Sequence, residues 1–146
     1  MTRVTLLTLL ALGLPGWTHS GENILRFAAN SESADNAAND RANQLASKQM
    51  EVARWYIGKR DYTAALNRLK IVVTIFPTSR YVEEALAHLA EAYLALGLAS
   101  EARTAVAVLG RKFPNGRWSA DAHAALASAG LEATEDKNSW ISQAVK

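Results

Sequence analysis

A chain of 146 residues, with apolar side chains at 49% and charged ones at 21%, is long enough for one domain with a modest core. It has no cysteine and only three histidines (His19, His88, His123), which excludes a disulfide scaffold and the ligand spacings of zinc and haem sites, so no cofactor is expected. The 16 basic and 14 acidic residues leave a formal charge of +2 and are scattered without a Lys/Arg run, so nucleic acid is not an expected partner.

Residues 1–20 open with Arg3, run apolar from Val4 to Leu14 and close on Pro15-Gly16. A charged start, a short apolar core and a small-residue end make a signal-peptide-like segment, too short for a membrane span. Export is therefore expected. With no cysteine to acylate, no lipid anchor is expected with it. Residues 21–47, rich in Ala, Asn, Asp and Ser, read as a polar linker that becomes the start of the first helix. From Leu45 apolar residues thicken through Met50, Val52, Ala53, Trp55, Tyr56 and Ile57, the end of a helix with a buried side, and Gly58-Lys59-Arg60-Asp61 ends it, Gly58 as its left-handed stop and Asp61 as N-cap of the next.

The second helix, about Tyr62 to Phe76, places Ala65, Leu66, Leu69, Val72, Val73 and Phe76 at helical spacing and stops before Pro77. A third, about Tyr81 to Leu96, stops at Gly97. A fourth, about Ser100 to Lys112, stops before Pro114, and a fifth, Trp118 to Ala129, stops at Gly130. Loops of two to five residues force neighbouring helices to be antiparallel. The chain thus divides into hairpins 48–77 and 81–114, a closing helix 118–129, and a tail 131–146 whose short helix Ser139 can cap.

Phe76-Pro77-Thr78-Ser79-Arg80-Tyr81 returns as Phe113-Pro114-Asn115-Gly116-Arg117-Trp118, a period of 37 from position 76 to position 113. Ala53, Tyr56, Ala65, Leu69, Val72 and Pro77 match Ala90, Tyr93, Ala102, Val106, Leu109 and Pro114 at the same offset. Alanines recur where two helices cross so closely that only a methyl fits, and the tyrosines fill the space between hairpins. The pattern resembles the tetratricopeptide repeat, so the expected fold is an all-α solenoid of antiparallel hairpins, whose function is to bind proteins or peptides.

Two further stretches narrow the likeness. Met50-Glu51-Val52-Ala53-Arg54-Trp55-Tyr56 followed by Asp61-Tyr62-Thr63-Ala64-Ala65-Leu66-Asn67-Arg68, together with the tail through Ser139-Trp140-Ile141, resembles the C-terminal half of the BamD family of outer-membrane assembly lipoproteins, over about Phe27 to Lys146. The resemblance implies a non-enzymatic periplasmic scaffold, peripheral at the inner face of the outer membrane. It would hold the membrane-proximal POTRA domain of the barrel subunit BamA and smaller lipoproteins. Unfolded outer-membrane proteins are received in that family by N-terminal repeats, which have no counterpart here. A generic periplasmic repeat adaptor for cell-envelope or division proteins is the alternative.

Candidate contact residues follow. Arg68, Ile71 and Ile75 form a flank beside the core stripe of the second helix, although the isoleucines could also pack under the next hairpin. The resemblance implies that the arginine of Asn67-Arg68 faces the POTRA domain. In the tail, Trp140, Ile141, Ala144 and Val145 share one apolar side that either seals the end of the solenoid or docks on a partner. Glu83, Glu84, Glu91 and Asp121 are either an acidic strip on the concave side or a solvated face, and His88 and His123 read as structural. No phosphate loop, Cys/His pair or nucleophile motif points to an enzyme.

Overall fold

The computed structural model describes residues 18–146, and the signal-like segment lies outside the described residues but for its last three. Six helices follow in order: α1 (Thr18–Gly58), α2 (Tyr62–Ile75), α3 (Val82–Ala95), α4 (Ala99–Lys112), α5 (Arg117–Ser128) and α6 (Trp140–Ala144). The chain falls into two units, divided between Asn36 and Ala37. The first contains the early turns of α1, where Ile24, Leu25 and Phe27 are exposed and Ser31 Oγ donates to the Ala28 carbonyl at 2.8 Å. The stretch read as linker, 21–47, is helical throughout.

In the second unit the fold is all-α and tetratricopeptide-like. Helix α3 packs against α2, α4 and α5, and α6 lies on α4 and reaches α2. The alanines at close crossings, Ala53, Ala65, Ala90 and Ala102, are all buried, as are Leu69 and Tyr93; Tyr56 is half-buried, and Pro77 and Pro114 lie exposed in the turns. Burial pushes the Tyr93 hydroxyl pKa up, with neighbouring Trp140 acting in the opposite direction.

The helix ends follow the same period. Asp61 caps α2, its carboxylate accepting from Ala64 N at 3.1 Å. At the ends of α1, α3 and α5 an amide reaches back five residues: Asp61 N to Tyr56 O at 3.0 Å, Leu98 N to Tyr93 O at 2.8 Å, and Leu131 N to Leu126 O at 3.1 Å. This closure needs a left-handed residue just before the donor. That residue is Arg60, Gly97 or Gly130, with φ of 59°, 73° and 72°. The left-handed stop expected at Gly58 is therefore two residues later: Arg60, not Gly58, stands where Gly97 stands in the next repeat. Gly58 is the last residue of the helix itself.

Helices α3 and α5 have no capping side chain of their own. Helix α5 borrows one from the preceding repeat, and the turn that leads into α3 is held from α1. Asn43 of α1 accepts from Arg80 N and from Ser79 Oγ, both at 3.1 Å, and Glu83 of α3 accepts from Trp118 N at 3.1 Å. Gly116 stands where the earlier turn holds Ser79, and a Cβ on it would have to displace the Glu83 carboxylate from this cap. Both contacts tie one hairpin to the next through backbone amides, the second at an otherwise orphaned amide of α5.

Candidate protein-docking surface

At about 100° per residue, Arg68, Ile71 and Ile75 fall on one flank of α2, with Asn67 beside them. The core stripe, Ala65, Leu69, Val72 and Val73, is buried. Ile75 is 64% exposed, Asn67 is exposed, and Arg68 and Ile71 are half-buried. Ile75 thus does not pack under the next hairpin. Ion pairs among the described residues engage Arg54, His88 and Arg111 and leave Arg68 out. A planar guanidinium outside these pairs suits a bidentate carboxylate on a partner.

The repeat supplies an internal comparison. Thirty-seven residues on from Asn67, Arg68, Ile71 and Ile75 stand Thr104, Ala105, Val108 and Lys112 of α4, of which the first three are buried. The C-terminal tail lies along this side of α4. Thr104 Oγ1 accepts from Asp136 N at 3.3 Å, and the Lys112 ammonium donates to the Lys146 carbonyl at 3.2 Å. Arg111 and Arg103 hold the same tail through Glu135 and through the Glu132 carbonyl, at 3.1 and 2.8 Å. The flank that is open on α2 is closed on α4 by the chain's own tail.

Ser139 caps α6, its hydroxyl accepting from Ser142 N at 3.4 Å. Ile141 and Val145 are each 1% exposed. Both side chains pack on the chain's own helices. Ile141 is a core residue and has no surface to offer a partner, which corrects its place among the contact candidates. Trp140 is half-buried beneath the Lys70 ammonium, 5.0 Å from the ring centroid. Lys70 is about 200° around α2 from Arg68, so Trp140 and Ile141 are not brought together with Asn67, Arg68, Ile71 and Ile75.

The acidic strip also resolves differently. Glu84 binds Arg54 of α1 in a two-point contact at 2.6 and 3.0 Å, which raises the Arg54 pKa. Glu91 meets His88 Nδ1 at 2.9 Å, and Glu83 caps α5. Three of the four acids are therefore committed to helix contacts; Asp121 is exposed. His88 also lies against Trp118, ring centroids 5.3 Å apart, beside a groove of about 180 Å³ between α3 and α5 whose lining includes four alanines and Leu94. His123 is seated over Gly110 of α4. The contacts by which Asn43 and Glu83 bind one repeat to the next are not legible in the sequence, because their partners lie about a whole repeat away.

Helix hairpins stacked at a fixed period, with small residues at the crossings, define an α-solenoid of the tetratricopeptide class. Residues 28–109 match the family described as YfiO, outer membrane lipoprotein. The match covers more than half of the chain, and the chain belongs to this family. Similar curated proteins include the outer membrane protein assembly factors BamD of Caulobacter vibrioides, 44% identical over 88 residues, and of Rickettsia prowazekii, 37% identical over 93. That of Neisseria meningitidis serogroup A is 36% identical over 95 residues. These alignments cover 60%, 64% and 64% of this chain and 29%, 36% and 36% of the relatives, so the chain spans about a third of their length. The family match ends before α5 and the tail. No solved structure gives a significant match.

Proposed function

We propose that this chain is a non-enzymatic scaffold in outer-membrane protein assembly, working in the periplasm at the inner face of the outer membrane. Its α2 flank docks the membrane-proximal POTRA domain of BamA, with accessory lipoproteins gathered on the same solenoid. The observation that carries this reading is the open flank Asn67–Arg68–Ile71–Ile75 beside its closed counterpart on α4. A cation with free donors next to two isoleucines has the make-up of an anchor point in a protein contact. The names of the relatives, all assembly factors, support the process. They weigh against the adaptor for cell-envelope constriction.

Affinity purification of the tagged full chain from detergent-solubilised envelope is expected to bring down BamA. Recovery of a trimeric peptidoglycan-associated adaptor without BamA would favour the second reading and remove the first.

A further inference from the structure

We propose that the outward face of α1 between residues 41 and 59 pairs with the same face of a second copy of this chain. Arg41, Leu45, Lys48, Val52, Trp55 and Lys59 recur at alternating intervals of four and three and share one side of the helix. Leu45, Val52 and Trp55 are 50%, 39% and 59% exposed, whereas Ala46, Met50 and Ala53 on the other side are fully buried. One repeat later the positions of Leu45, Lys48, Val52 and Trp55 are taken by Val82, Ala85, Leu89 and Ala92 of α3, all at 0% exposure. This face of the repeat is built to be covered.

The same comparison limits what can cover it. On α3 the two alanines permit a close crossing, and α2 packs against this helix. On α1 the alanines are replaced by Lys48 and Trp55, so a helix seated as closely would collide with both. The covering element has to stand further off, give the indole an apolar surface and present acids to the lysines. Helix α1 itself meets these conditions. Laid antiparallel on a second copy and centred near residue 50, it sets Leu45 against Trp55 of the other copy and Val52 against the aliphatic stem of Lys48. Glu51 comes beside Lys48 of the other copy and Asp40 beside Lys59, each pair occurring twice by symmetry. Asp40 and Glu51 line an open groove along the adjoining side of α1 with Lys48, so acid and base alternate along this edge. The paired stretch is about 27 Å long. Its helix is already held by the core, so pairing does not have to meet the cost of forming it.

Sedimentation equilibrium of the full chain, up to about 1 mM, tests this. The expected result is a reversible monomer–dimer equilibrium that Trp55→Lys abolishes with an unchanged helical spectrum. Lys48→Glu and Glu51→Lys each weaken the dimer roughly tenfold, and the two together restore it. Should Trp55→Lys not fold, Val52→Glu carries the same expectation. A monomer at every concentration, a dimer that survives the folded variant, open-ended growth, or no restoration by the double exchange would overturn the proposal. Arg68→Glu leaves the dimer intact, which separates this face from the α2 flank.

Discussion

Arg68→Glu is expected to abolish capture of the last POTRA domain of BamA while leaving the melting temperature and helical spectrum of the chain unchanged. The reason is positional. Arg68 is half-buried, makes no ion pair among the described residues, and lies beside Ile71 and exposed Ile75. Removing it leaves no internal carboxylate unpaired, so folding has little to lose. A partner acid that met the guanidinium would meet a like charge instead, and reversing one member of a close interfacial pair costs about 2–5 kcal/mol, a loss of roughly thirtyfold to several thousandfold in affinity. Binding would be read by calorimetry against the isolated POTRA domain. Retained affinity, or an unfolded variant, would show that this flank is not the contact.

Leu89→Ala should destabilise by about 3–5 kcal/mol, whereas Val52→Ala, at the equivalent place one repeat earlier, should change the stability of the monomer by no more than about 0.5 kcal/mol. Leu89 is fully buried in the middle of α3, which α2, α4 and α5 surround. With helices on three sides the site cannot collapse into the space a leucine leaves, so the cavity cost falls at the upper end of its range. Val52 is 39% exposed on an uncovered face. Urea melts at low protein concentration measure both. Equal losses at the two positions would contradict the view that α1 and α3 differ chiefly in what covers them.

Much of this architecture is legible in the sequence because the period of 37 repeats its punctuation as well as its apolar pattern. Pro77 and Pro114 end the second helices, and Asp61 and Ser139 cap the helices they precede. The same period, applied one step further, identifies Arg60 as the left-handed residue, since it aligns with Gly97. A local reading favours Gly58, because glycine is the usual residue for that conformation. The length of α1 is less legible: residues 21–47 contain many Asn, Ser and Asp side chains, which compete for backbone hydrogen bonds and weaken intrinsic helix preference. Long-range polar contacts are not legible at all. Nothing in the order of residues shows that Glu83 caps α5, that Glu84 pairs with Arg54, or that the tail turns back along α4 and places Trp140 across α2 from Arg68.

The docking reading is tested most directly by hydrogen–deuterium exchange of the full chain with and without the last POTRA domain of BamA. Added domain should slow exchange along α2, above all over residues 67–75, and leave α4, already covered by the tail, unchanged. Protection confined to the groove between α3 and α5, with α2 exchanging as in the free chain, would contradict it.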